Sequence, residues 1–540
     1  MKMVKSLILG SAAGLVAMSG AQAADLPVKA KAVEYVRICS LYGAGFFYIP
    51  GTDTCIKLGG YLRVDTTFNG SSTQGAPAWS GDSGAQDRYR NYFITRSRMA
   101  LTVDTRTATE YGVVRTFGQG DFQFDMLSTG GQNPNSLATN LANNPNLLNT
   151  PGGGYVAVEY VFIQFAGFTF GKSSSAFATP WNGYPGNNTS FLLGGHDTVT
   201  GVNNIQYTAQ FGNGVSATIG LDDPTVFNRT GLGYLNTYAA TAAPGTGTAL
   251  ATVSASSVAV LGTAANAYGG THAPDIVGNI RVDQAWGLFQ LSGALHEVNA
   301  SYNTLTSAGL PSTASEISGH PDTKWGGAVS VALQIKNIPT GPGDDIKFDA
   351  TYAKGDTKQV ISTSGASPSF AMFGNTSRPG AYQSLGVGYT SDGVYVPGGS
   401  IELTEAFGIR GAFNHNWDPY WSSSLFGSWS AVRYNGNATA QYCAAYTGPV
   451  VGGAALSGRT FSADFTCNPD FNVSQLGVVT RWTPVKNLTF SLETMWFHLD
   501  QKMTGAITAT PSATLPKPNT TYEFRDQNTV YVNVRAQRNF

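Results

Sequence analysis

Charge is scarce in this chain. Asp, Glu, Lys and Arg make up 12% of its 540 residues, against ~25% in ordinary soluble domains. Its 32 basic and 33 acidic residues nearly cancel, which excludes the basic footprint of a nucleic-acid partner. Long apolar runs are missing beyond the first two dozen residues, and this excludes a bundle of membrane-spanning helices, each of which needs ~20 such residues. Histidines number six and are scattered, cysteines number four with no CxxC, and neither GxSxG nor HExxH occurs. Metal centres and the common hydrolase sites therefore lack a seed, so no enzyme, metal or cofactor is expected. Glycine (65 residues) and aromatics (12%) are abundant instead. Low charge without apolar blocks fits a lipid-facing β-barrel, whose strands alternate apolar and polar positions, although soluble sandwiches share some of this composition.

Lys2 and Lys5, the apolar run 7–18 and the small-residue pattern Ala21-Gln22-Ala23 read as a secretory signal peptide over residues 1–23. An exported chain meets an oxidising compartment, so Cys39, Cys55, Cys443 and Cys467 are expected in disulfides. Four cysteines allow three pairings and the sequence leaves all open. Local pairing, Cys39 with Cys55 and Cys443 with Cys467, is the expectation, because it closes two modest loops worth ~3 kcal/mol each.

The stretch 155–200 organises the rest. Two β-rich runs, 156–165 and 168–171, flank a two-residue turn at Ala166 and Gly167, as a hairpin requires. A long loop rich in Ser, Gly, Asn and Pro follows. The clearest alternation is at 56–68, where Ile56, Leu58, Leu62, Val64 and Phe68 share one face and Lys57, Tyr61, Arg63, Asp65 and Thr67 the other. Charges of both signs on that polar face suit a wet interior. The run 91–106 repeats the arrangement with Arg96 and Arg98, the link TRTATE leads into 110–118 with Arg115, and 119–154 reads as a long connection.

Short and long connections keep alternating, and sixteen such runs can be counted, the last at 529–540. An even count suits a closed antiparallel barrel with both ends in the periplasm. A further run near 385–389, inside the loop-like 356–399, would raise it. Residues 435–472, with the second cysteine pair, and the patch 257–261 read as loop. Trp417, Tyr420, Trp421, Trp482 and Trp496 fall near run ends or turns, where interfacial girdles place such rings. The text AGFTFGKS approaches a P-loop, but Ala166 replaces its first glycine and no amphipathic helix follows Ser173.

The segments LYGAGFFYIPGTDTCIKLGGYLR, TEYGVVRTFG, VFIQFAGFTFGKSSSAF, CNPDFN and YVNVRAQRNF, spread over essentially the whole chain after residue 23, resemble the alphaproteobacterial outer-membrane porin family. That resemblance implies an all-β, 16-stranded antiparallel transmembrane β-barrel over 56–540, preceded by a periplasmic segment at 24–55. Its third external loop folds inward and narrows the pore. It also implies a bacterial outer-membrane location, a homotrimer, contact with outer-membrane lipid and lipopolysaccharide, and passive diffusion of small hydrophilic solutes and ions without a cofactor. Phe540, ending an alternating strand, resembles the signal read by the barrel-insertion machinery. The positions matching a porin's basic wall are Arg63, Arg96, Arg98 and Arg115. On the acidic side only Asp197 lies in the loop, the usual glutamate near paired glycines is absent, and Asp121, Asp125 or Glu159 would supply the missing charge. A closed outer-membrane barrel serving as adhesin or anchor shares every one of these features except the passage of solutes.

Overall fold

A computed structural model describes residues 37–69, 84, 86, 92–125, 155–225, 228–235, 266–304, 310–364, 367–447, 460–509 and 517–540. The expected signal peptide 1–23 and the patch 257–261 lie outside them. Sixteen strands form the wall. They are β1 (Thr54–Phe68), β2 (Phe93–Thr109), β3 (Gly112–Asp125), β4 (Tyr155–Phe165), β5 (Phe168–Ser173), β6 (Val202–Gly212), β7 (Val215–Asp222) and β8 (Asp275–Gln284) in the first half. The second half is β9 (Gly287–Val298), β10 (Lys324–Lys336), β11 (Asp345–Lys354), β12 (Glu405–Asn416), β13 (Trp421–Arg433), β14 (Phe471–Val485), β15 (Leu488–Gln501) and β16 (Gln527–Asn539).

Each strand pairs antiparallel with its chain neighbours, and β16 returns to β1 with Asn539 opposite Tyr61 and Val532 opposite Phe68. Closure leaves no edge with unpaired backbone groups. Phe540 and Gly60 exchange backbone hydrogen bonds at this seam, N to O 3.0 and 3.2 Å.

Alternation decides the faces. On β2, Phe93, Met99, Leu101 and Val103 are exposed outward while Ile94, Arg96, Arg98 and Ala100 are buried inward. Tight turns join the strands at one end. Ala166 and Gly167 take φ of 50° and 86°, and Asn213 and Gly214 take 49° and 71°, the left-handed pair that lets a two-residue hairpin match the strand twist. AGFTFGKS is therefore a hairpin turn running into β5, and no helix follows it. Trp417, Tyr420, Trp421, Trp482 and Trp496 are all exposed on the outside, as expected of a girdle.

The strand count matches expectation, but several boundaries do not. TRTATE is mostly strand, with only Glu110 and Tyr111 left as turn between β2 and β3. β3 runs on to Asp125, because Gln119, Asp121 and Gln123 continue the inward polar face while Phe122 and Phe124 point out. The run near 385–389 is a strand, Ala381–Gly388, but it belongs to a separate five-stranded sheet built from the long connections and does not enlarge the barrel. A helix, Gly436–Thr447, lies in the segment read as loop. Its Tyr442 and Tyr446 join Phe370, Tyr389, Tyr434 and Phe524 in a buried cluster above the barrel. Both disulfides pair locally, Cys39 with Cys55 and Cys443 with Cys467. The first ties the segment before β1 to the short-turn end, where Arg106 lies 4.9 Å over the Phe46 ring.

Candidate pore constriction

The segment 174–201, between β5 and β6, leaves the wall and crosses the lumen. Its residues are buried almost throughout, and its bonds show which wall it leans on. Trp181 Nε1 donates to Asp349 Oδ2 on β11 at 2.7 Å. Arg410 on β12 donates to the carbonyls of Gly195 (3.2 Å) and His196 (2.7 Å), and also to Asp349 at 2.9 Å. Gln475 on β14 holds both Leu193 N and Phe191 O. Arg481 donates to Asn188 Oδ1 at 2.9 Å, and Thr189 Oγ1 donates to Glu493 Oε1 on β15 at 2.5 Å.

Small residues make this approach possible. A Cβ on Gly408 of β12 would sit 2.5 Å from Gly194 O, so the loop lies backbone on backbone. Gly194 itself has φ +95°, a region closed to most side chains. A second inward segment, 356–364, backs the first: Gly194 N donates to Val360 O at 2.9 Å and Ser364 N to Ser190 Oγ at 2.7 Å. Its Thr357 donates twice to Asp392, from N at 2.7 Å and from Oγ1 at 2.9 Å. Sequence reading took this stretch for plain loop.

What the loop leaves free is a cavity of about 630 Å³ against β1 to β5 and β16. Arg63, Arg96, Arg98, Arg535, Lys172 and Glu159 line it from the wall, and Tyr184, Asn188 and Ser190 from the loop. Strand register sets this grouping. Arg63 stands opposite Arg98, and Asp65 opposite both Arg96 and Arg535. Directly opposed like charges repel in a sheet, and Asp65 on Arg96 and Asp121 on Arg98 offset part of that repulsion.

The pairing is unequal. Arg96 donates to Asp65 Oδ2 at 2.8 Å, and Arg98 donates to Gln123 and Asp121, both at 2.6 Å, and to Glu159 at 3.2 Å. Arg63 has a neutral partner, Gln537 at 2.8 Å, and stacks 4.4 Å over Tyr61. Arg535 donates to Asn188 O at 2.8 Å, with its Nε 3.8 Å from Asp65. Arg98 Nη2 and Arg535 Nε are buried without a hydrogen-bond partner of their own.

The expected site residues therefore separate. Arg63, Arg96, Arg98 and Glu159 share the cavity. Glu159 arrives there through a bulge: Gln119 pairs with Tyr160 and Gly120 with Val158, so Glu159 is the extra residue, and bulges re-aim side chains in this way. Asp121 lies fully buried beneath Arg98 and away from the lining. Asp125 sits on β3 opposite Arg96, and its side chain lies outside the described residues. Arg115 is nearer the short turns, donating to Asp104 at 3.0 Å and Gln164 at 2.9 Å, off the cavity.

Asp197 is turned behind the loop, 2% exposed, accepting from Ser190 Oγ and Val199 N at 3.1 Å each. Burial raises its carboxyl above the usual carboxylate range. The loop thus presents no carboxylate to the basic wall. Sequence reading missed Arg535, Arg481 and Arg410 as site residues; the signal for Arg410 and Arg535 was their place on the polar face of an alternating run.

A family model described as "Porin subfamily" matches residues 25–533. Porin Omp2b of Brucella suis biovar 1 is 39% identical over 226 residues, which is 41% of this chain and 54% of that protein. Porin Omp2b of Brucella canis is 38% identical over the same extent. The chain spans about half the length of the curated relatives it matches. Among solved structures, the outer membrane channel DcaP of Acinetobacter baumannii superposes with TM-score 0.53 at 12% identity, over 91% of this chain and 99% of that one. That likeness is one of fold.

Proposed function

The chain belongs to the porin subfamily and is an outer-membrane β-barrel, and on that premise we propose that it forms a water-filled channel for passive diffusion of small hydrophilic solutes and ions. The family is one of channels rather than enzymes. The observation that carries the reading is the cavity against β1 to β5 and β16, where five cationic side chains and one carboxylate face the lumen. A dry protein interior would not hold Arg63 directly opposed to Arg98 with only the neutral Gln537 as its hydrogen-bond partner. Low-dielectric walls focus the field of such a cluster and concentrate ions of opposite sign in it. Because the loop adds no carboxylate, the lining favours small anions over cations.

Residues 1–23 direct export, 24–55 belong to the periplasmic side, and the described part of that segment, 37–55, braces the short-turn mouth through the Cys39–Cys55 disulfide. Phe540 serves the insertion machinery. Outer-membrane lipid and lipopolysaccharide cover the outward face, and the family resemblance supports a homotrimer.

Planar-bilayer recording of the detergent-purified protein under a salt gradient tests the channel, its charge preference and the trimer. Ohmic steps closing in groups of three, with a reversal potential of the sign set by anion flow, are expected. A cation-selective sign overturns the charge reading alone. Electrical silence from folded, inserted protein overturns the channel and favours the adhesin or anchor.

A further inference from the structure

Outside the barrel, near the short-turn end, a groove of about 520 Å³ crosses β13 to β16 and β1. Register explains its shape. Trp421 faces Trp482, Trp482 faces Phe490, Phe490 faces Ala536, and Ala536 faces Val64, so one cross-strand row runs the width of the groove. The first three form a continuous aromatic shelf, with ring centroids 5.8 and 5.6 Å apart. At Ala536 the row drops to a methyl group. In the next row toward the membrane centre, Leu492, Val534 and Thr66 continue the floor.

In the row nearer the turns the outward position on β16 is Arg538, facing Leu488 and Leu62 and exposed. It stands ~7 Å along the strand from Ala536. Its Nη1 donates to the carbonyl of Lys486, whose own exposed side chain adds a second cation at the same end. The carboxylate on the shelf side, Asp418, is occupied in capping its own turn, accepting from Tyr420 N and Trp421 N at 2.7 and 2.8 Å.

An apolar trough that ends in two cations at the level of an aromatic girdle matches a lipid whose head group is anionic. We propose that this groove binds one phospholipid of the periplasmic leaflet, an acyl chain lying along Phe490, Val534 and Ala536 and the head-group phosphate held by Arg538 and Lys486. The inference rests on the outer-membrane reading, with short turns facing the periplasm, and not on the channel's conducting.

Native mass spectrometry of the full-length, delipidated protein tests it, with phosphatidylglycerol, phosphatidylethanolamine and lipopolysaccharide added separately. One phosphatidylglycerol per chain is expected to be retained about tenfold more than phosphatidylethanolamine, the weight of one to two cations near an anionic lipid. The double variant Lys486→Gln/Arg538→Gln is expected to lose that preference, and Ala536→Trp, which fills the trough, to lose the adduct. Both are expected to keep wild-type conductance. Equal phosphatidylglycerol retention by wild type and both variants overturns the proposal, as does a stronger preference for lipopolysaccharide. If filling the trough instead changes the number of copies per assembly, a second chain occupies it and the lipid assignment falls. Should Ala536→Trp fail to fold, the charge variant decides alone. Lipid retention without conductance would refute the channel and leave this site standing.

Discussion

Arg410 on β12 and Arg98 on β2 are both buried, inward-pointing arginines on alternating strands, and each meets carboxylates at close range. Arg410 spends its remaining donors on two loop carbonyls, so the loop is fastened to that wall. Arg98 has one nitrogen unspent, and it borders the open cavity. The same residue type is a bolt on one wall and an electrode on the other. What differs is which wall the loop covers, and small residues decide that: Gly194 and Gly408 permit backbone contact on β12.

If that division is right, Arg410→Ala gives the largest effect. It leaves Asp349 with Trp181 in place of two donors and strips two loop carbonyls of theirs, and removing one partner of a buried pair costs about 3–5 kcal/mol. A lower melting temperature and noisy, enlarged single-channel steps are expected. Gly408→Val comes next. Its Cβ would lie 2.5 Å from Gly194 O, so the loop is expected to shift and conductance to rise, with the barrel still resistant to SDS at room temperature. Arg63→Gln sharpens the other side. Arg63 has a neutral partner, so folding is expected to change by less than about 1 kcal/mol, while the reversal potential moves toward that of a non-selective pore.

A pH titration tests the same division, and the two inward segments respond with opposite sign. Burial, with Lys358 and Arg410 nearby, lowers the His196 imidazole to about 3. Its folded value lies below its unfolded one, so the loop's stability is full above ~6.5 and is lost as pH falls toward 3. Burial raises the Asp356 carboxyl to about 8. There stability is full below ~4 and is lost as pH rises toward 8. Limited proteolysis against pH reads both. His196→Phe is expected to flatten the acid side and Asp356→Asn the alkaline side; identical profiles for wild type and variants would break the contrast.

The barrel was legible because each strand carries its own evidence. A two-residue period decides inside from outside locally, and sixteen runs gave sixteen strands. β3 was cut short because Gln119, Asp121 and Gln123 look like loop until Phe122 and Phe124 are read as their outward partners. The site was less legible because it depends on register between strands distant in sequence. Arg63 meets Gln537 across 474 positions, and no local pattern announces that. Arg115 pairs with Asp104 inside one hairpin, near the turns, and Asp197 faces away because the loop's path is set by contacts to β11, β12, β14 and β15. The separate sheet and the helix Gly436–Thr447 follow from a hydrophobic cluster assembled out of several connections, each too short to show periodicity.

The seam between β16 and β1 also bears on timing. Each other wall strand can zip onto a neighbour adjacent in the chain, but β1 waits for a partner made hundreds of residues later. Until then both β1 and the newest strand offer bare edges to any other chain. Contacts so remote in sequence form slowly, and slow closure prolongs that exposure. Shielding by escort proteins before insertion, and a folding rate limited by this last junction, are the demands the topology places on the cell.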